Sequence, residues 1–294
     1  MGMGAKWFAS SPAAAAIFKQ ADEVLDGVFS RPLSTLCFEG SAEELNKTSV
    51  SQPAIYTCSV ASHRALIELG QQPEIGCLAG LSLGEYTALH LAGAFDFEQG
   101  LRLVTERGRL MQQAAEASDG GMLALIGADE DQAVSLCDEV AADGSILVPA
   151  NFNAPGQIVL SGQASACEKA AVLASEQGLR ATPLTVAGAF HSPLMELAAV
   201  GLASALASST IEPLTKPVWS NVTAQLHDPD DSELLRERLV QQLTSPVRWS
   251  QSCRHIIESG QEGFAELAPG TVLRGLMRRI DRSIKVVSYD QPQD

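Results

Sequence analysis

Ser82 stands at the centre of Gly80-Leu81-Ser82-Leu83-Gly84. A glycine-framed serine that ends a strand and opens a helix is held on a sharp turn, its Oγ exposed above the sheet edge. Glu74 to Ala79 reads as a short buried strand and Glu85 to Leu91 as a helix, so the setting fits. Ser82 is thus a candidate nucleophile for acyl transfer. The Leu83 N–H and the helix N-terminus would face an oxyanion formed there. A serine that merely caps the helix is the competing reading.

A serine hydroxyl needs a base. Of the five histidines, His63 lies mid-helix and reads as a surface residue, and His90 points along the helix that follows Ser82. His227, in His227-Asp228-Pro229-Asp230-Asp231, reads as turn chemistry, and His255 fits either face of a helix. His191, in Gly188-Ala189-Phe190-His191-Ser192-Pro193, falls where a small domain returns to the body of the chain. Clefts form at such junctions, which makes His191 the geometric candidate; a cap for the helix after Pro193 is the alternative.

The third candidate is Arg107. A helix starting at Asp96 and running to about Ala117 carries a capping pair, Asp96 with Gln99. At 100° per residue, Leu103, Val104, Leu110 and Met111 fall within about 60° of Arg107, while Arg102 and Arg109 project from the opposite side. A guanidinium on an apolar face stays charged and must find an anion. That anion is either a structural carboxylate or the carboxylate of a substrate held bidentately.

These residues need elements to carry them. Ser41-Ala42-Glu43-Glu44 is a capping box, and Ser51-Gln52-Pro53 places Pro in the first turn of a helix towards Leu69. Between Gly120 and Ala187 the pattern reads strand (Met122 to Ile126), helix (Asp129 to Val140), strand (Ile146 to Asn151), strand (Gln157 to Ser161), helix (Ser165 to Gln177) and strand (Ala181 to Val186). That βαββαβ order is the ferredoxin-like plan. The expected fold is α/β, a body of residues 1–119 and 188–294 into which a small subdomain, 120–187, is inserted.

Composition narrows the function. Of 294 residues, 46% are hydrophobic and 19% charged, enough for a sizeable core. The net charge of −15 argues against nucleic acid. Apolar runs such as Ala13 to Phe18 are too short for a membrane span or a secretory leader. Six scattered cysteines without a C-x-x-C pair give neither a metal site nor a disulfide framework, and suit a reducing cytoplasm. Against the acidic background, Arg274, Arg278, Arg279, Arg282 and Lys285 crowd one stretch beside Asp281. They form either a solvated face or a dock for an acidic protein.

Gly80-Leu81-Ser82-Leu83-Gly84-Glu85-Tyr86, Glu106-Arg107-Gly108, Asn151-Phe152-Asn153-Ala154-Pro155-Gly156-Gln157 and Gly188-Ala189-Phe190-His191-Ser192 occur in order. Together with Ser41 to Thr48 and Gln52-Pro53-Ala54, they resemble the malonyl-CoA:acyl-carrier-protein transacylase family over nearly the whole chain. The resemblance implies an α/β-hydrolase-like body with a parallel sheet and a ferredoxin-like insert. It implies malonyl transfer from malonyl-CoA to the phosphopantetheine thiol of acyl carrier protein in fatty acid biosynthesis, with no cofactor and no metal. Ser82 would carry the acyl group and His191 would be base and acid. Arg107 would grip the malonyl carboxylate, Phe190 would narrow the pocket, and the Gln242 carbonyl would orient His191. The carrier protein would dock near Arg274, Arg278, Arg279 and Arg282, on a monomer.

Two positions depart from the family pattern. Leu81 stands where many members have His. Members also begin with a strand and a Gly-Gln-Gly-x-Gln loop that supplies a second oxyanion N–H, whereas Met1-Gly2-Met3-Gly4 resembles the residues just after that loop. From this sequence only the Leu83 donor is expected. A serine esterase or thioesterase, and a non-catalytic module that binds a carrier protein, are the competing functions.

Overall fold

A computed structural model describes residues 2–293. The amino-terminal part is helical: α1 (Ala5–Ser10), α2 (Pro12–Val24), α3 (Leu33–Glu39), α4 (Ala42–Asn46), α5 (Thr48–Glu68), α6 (Leu83–Leu91) and α7 (Phe97–Glu116). The capping box at Ser41 and Glu44 is formed, and Asp96 caps α7 by accepting from Gln99 N–H. Helix α5 starts at Thr48, so Pro53 lies inside it rather than in its first turn. Helix α7 carries its apolar face as the periodicity requires: Leu103, Val104 and Met111 are buried with Arg107. Arg102 and Arg109 face solvent and pair with Glu98 and Glu106.

Next come β1 (Gly120–Ile126), α8 (Glu130–Ala141), β2 (Leu147–Ala154), β3 (Gln157–Gln163), α9 (Ala164–Glu176) and β4 (Arg180–Pro183). The four strands form one antiparallel sheet in the order β2-β3-β1-β4. Along β1 the pleat sends Leu123 and Leu125 into a core shared with α8 and α9, and Met122 to the opposite face. Strand β4 ends at Pro183, short of the expected Val186, although Leu184 N–H still donates to Met122 O at 2.9 Å.

The remainder comprises α10 (Glu196–Ala207), α11 (Ser232–Gln241), α12 (Trp249–Glu258), β5 (Phe264–Leu267), α13 (Val272–Ile280) and β6 (Val286–Tyr289). A large core unites α2, α5, α6, α7, α10 and α11. Here the structure corrects two expectations. Residues 74–79 form no buried strand: the stretch bends at Gly76, has no buried residue and makes a single parallel bridge, Leu78 to Val218. The body also has no broad parallel sheet among the described residues, only the parallel pair β5–β6 and that bridge. A strand is assigned only where a neighbouring backbone supplies a ladder, and Leu78 is the one position in this stretch that finds one.

The two cores are laced together. Val247 N–H donates to Ala150 O at 2.8 Å and Phe152 N–H donates to Val247 O at 2.9 Å, so β2 is clipped to the segment that follows Gln242. On the other side of the junction, a Cβ at Gly188 would stand 2.5 Å from Ala115 Cβ. The chain therefore crosses between the cores with backbone nearly touching helix α7.

Candidate active site

Ser82 immediately precedes α6 with φ 51° and ψ −104°, a conformation an L-residue adopts only under constraint. Its side chain makes no capping bond to the helix, which removes the cap reading. The turn depends on Gly80: a Cβ there would lie 2.0 Å from the Gly84 carbonyl carbon. Two distant side chains hold it. Asn221 Oδ1 accepts from Ser82 N–H at 2.6 Å while its Nδ2 donates to Gly80 O at 2.7 Å. Gln242 Nε2 donates to Ser82 O at 3.1 Å. Leu83 is the first residue of α6, so its N–H is one of the first-turn donors without an intrahelical acceptor.

His191 also has a positive φ, 57°, and is 4% exposed. Ser192, not His191, caps the following turn by accepting from Leu194 N–H. The imidazole Nδ1 lies 2.7 Å from Gln242 O and Nε2 lies 2.9 Å from Ser82 Oγ. A carbonyl only accepts, so Nδ1 carries the hydrogen and the Nε2 lone pair faces the hydroxyl. Burial, then the nearby Arg107 charge, push the imidazole pKa down to about 4. The ring is neutral at pH 7 and can accept a proton.

Arg107 is 1% exposed. One terminal nitrogen donates to Gln52 Oε1 at 2.6 Å; the other donates to Gln242 Oε1 at 2.8 Å and to Ser82 Oγ at 3.0 Å. The guanidinium lies 5.5 Å from the centre of the Tyr86 ring, and its Nε has no partner. No carboxylate pairs with it among the described residues. The internal salt bridge is therefore absent, and the cation rests on neutral oxygens. Gly108 makes the reach possible: a Cβ there would stand 2.7 Å from Thr48 O, so α7 can lie against the start of α5 and bring Arg107 to Gln52.

Ser82, His191, Arg107, Leu83 and Gln242 are thus gathered in one place. Phe190 packs both on the main core and on the Met122, Ala150 and Val159 cluster behind the small sheet, spanning the junction. Sequence reasoning missed Gln52, Asn221 and the side chain of Gln242 as partners of the site. It also misplaced His227, which is no turn residue but is 4% exposed, with Nε2 2.6 Å from Glu85 Oε1. Glu85 is the one acid of the helix Leu83–Leu91, which marks the carboxylate in the sequence but not the histidine it meets. The other histidines lie elsewhere, His90 Nδ1 on Phe95 O, His255 Nδ1 on Ala224 O and His63 beside Gln72. No group of three or more His, Cys, Asp or Glu among the described residues is arranged to hold a metal. No helix among them is long and apolar enough to cross a membrane.

A family model described as the acyl transferase domain matches residues 1–288. The chain belongs to that family. As an acyltransferase it is 40% identical over 294 residues to the malonyl CoA-acyl carrier protein transacylase of Bacillus subtilis, covering 100% of this chain and 90% of the relative. The structure of the malonyl CoA-acyl carrier protein transacylase from Coxiella burnetii superposes with a TM-score of 0.93 at 36% identity, over 99% of this chain and 90% of that one. A malonyl-transacylase solved in complex with its type II polyketide acyl-carrier protein matches equally well, with a TM-score of 0.93, 38% identity and coverage of 99% and 92%.

Proposed function

We propose that this acyltransferase moves a malonyl group from malonyl-CoA to the phosphopantetheine thiol of acyl carrier protein, through an ester on Ser82. The observation that carries the reading is Arg107, a buried guanidinium with no carboxylate partner, 3.0 Å from Ser82 Oγ. A cation so placed suits an acyl group that ends in a carboxylate, and the relatives just described carry that activity in their names.

In the proposed reaction Ser82 Oγ attacks the thioester carbonyl as its proton passes to His191 Nε2. The Gln242 carbonyl keeps Nδ1 protonated, and the Leu83 N–H stabilises the oxyanion. Collapse expels the CoA thiolate, which takes the proton from His191. The carrier thiol then gives its proton to Nε2, attacks the Ser82 ester and leaves as the malonyl thioester, restoring the serine. Phe190 narrows the acyl pocket from the small-sheet side. A site that admits a thiol while denying productive attack by water limits hydrolysis.

The division into an α/β-hydrolase-like body, 1–119 with 188–294, and a ferredoxin-like subdomain, 120–187, belongs to the same reading. So do a cytoplasmic monomer without cofactor and a carrier dock at Arg274, Arg278, Arg279 and Arg282. Those four side chains are exposed, with no ion pair among the described residues, and suit an acidic partner.

Intact-protein mass spectrometry after mixing with malonyl-CoA tests the reading. A malonyl adduct is expected, absent in Ser82→Ala, with Arg107→Ala losing about 10- to 100-fold of the preference for malonyl- over acetyl-CoA. Rapid release of free malonate would assign a thioesterase instead, and no adduct at all would leave a binding module.

A further inference from the structure

Behind the site lies a second buried charge that the transfer chemistry does not use. The Glu85 carboxylate, 1% exposed, sits three residues after Ser82 in the first turn of α6. Its Oε1 accepts from His227 Nε2 at 2.6 Å. Its Oε2 accepts from Gln242 Nε2 at 2.6 Å and from Asn221 N–H at 3.2 Å. A buried acid and a buried guanidinium this close would ordinarily join directly, because a bidentate pair is the strongest arrangement open to both. Here they do not. The Gln242 amide stands between them, its NH2 on Glu85 and its Oε1 on Arg107.

We infer that Glu85 is a positioning residue for acyl selection: it orients the Gln242 amide so that Arg107 is balanced from behind while its fork rests on neutral oxygens that a substrate carboxylate can displace. The carboxylate fixes the amide because an anion accepts only; the NH2 must turn to Glu85, and the carbonyl oxygen is left for Arg107. Held this way, the guanidinium has a counter-charge one amide away, and no acid occupies the face an incoming malonyl group needs. Glu85 likewise anchors the backbone of Asn221, whose side chain grips Ser82 N–H. One acid therefore stands behind both the selecting cation and the nucleophile's turn, yet touches neither the Arg107 guanidinium nor the Ser82 hydroxyl.

The inference rests on the malonyl reading, and the experiment separates the two. Glu85→Gln keeps the shape but leaves three donors, from His227, Gln242 and Asn221, facing a single acceptor oxygen. The Gln242 amide turns over and presents its NH2 to Arg107. We expect the ratio of kcat/KM for malonyl-CoA to that for acetyl-CoA to fall at least about tenfold, chiefly through the malonyl KM, on top of any loss through the Ser82 turn that both substrates share. A merely structural role would lower both substrates together, and an unchanged malonyl-to-acetyl ratio overturns the inference.

A second variant keeps the test alive if the first melts out, with folding followed by circular dichroism. Glu85→Gln combined with Gln242→Glu restores an acid–amide pair, now with the acid directly against Arg107. The malonyl-to-acetyl ratio should stay low, because the fork is filled; it is read as a ratio, since losing the Gln242 donor to Ser82 O lowers both rates together. Recovery of malonyl preference in the double variant would show that the amount of buried charge matters and its placement does not. Should the unaltered chain give no malonyl adduct, the substrate reading fails by itself, before any variant is made.

Discussion

Ser82 and His191 share an unusual property, a positive φ in a residue that carries a side chain. Each such conformation costs on the order of 1–3 kcal/mol and persists only where the surroundings over-determine it. The surroundings here are Asn221 and Gln242, which bond the peptide groups and ring that would otherwise relax. The imidazole they hold has its pKa pushed to about 4. The rate of Ser82 acylation at low malonyl-CoA, which titrates the free enzyme, should therefore stay flat from about pH 8 to about pH 5 and fall only with an apparent pKa about 4. Stopped-flow or quench measurements of the first turnover report this limb. A midpoint near the ordinary histidine value would mean a solvated ring and would remove the packing described for His191. Arg107 was legible because periodicity is a local property: its angular position on the helix follows from its neighbours. Gln52, Asn221 and Glu85–His227 were not, because each contact joins distant stretches of chain, and a polar run such as His227 to Asp231 carries no mark of burial.

At the level of elements the nucleophile turn is asymmetric. Gly80 has no room for a side chain, whereas a Cβ on Gly84 would meet nothing within 4 Å. Gly80→Ala should abolish activity and lower stability by roughly 1–3 kcal/mol, as overpacking of a tight site does, while Gly84→Ala folds with a melting temperature close to that of the unaltered chain. Thermal melts of the two variants decide it, and equal destabilisation would contradict the geometry. Reading Gly80-Leu81-Ser82-Leu83-Gly84 as a motif gave both glycines one duty; only the three-dimensional approach of Gly80 to Gly84 tells them apart. The helix after Ser82 and the βαββαβ element order were visible because caps, glycines and alternation are written locally. The strand before Ser82 was not, since a strand is a relation between two segments and residues 74–79 have little to pair with.

Across the whole molecule, the two cores meet where Phe190, Gly188 and the Val247 clip converge, and buried His191 follows Phe190 directly there. Burial of His191 has a consequence for the folded state. An unfolded imidazole takes its proton near pH 6.5 and the folded one only near 4. Between those values the unfolded chain binds the extra proton, so stability is fully present above about pH 6.5 and falls as pH drops towards 4, by roughly 3 kcal/mol from this residue. Denaturant titrations at pH 7.5 and pH 4.5, on the unaltered chain and on His191→Gln, measure it; a pH-dependence identical in the two would assign the acid lability to other groups. The proximity of Arg107 and His191 would give the proposed carboxylate grip a second effect. In the empty site burial, and after it the guanidinium charge, hold the imidazole weakly basic. A carboxylate seated on Arg107 would offset that charge and raise the proton affinity of Nε2 as an acyl group arrives. Acetyl, lacking the charge, would leave the base muted. By reciprocity of linked equilibria, proton and carboxylate would then act as mutual effectors.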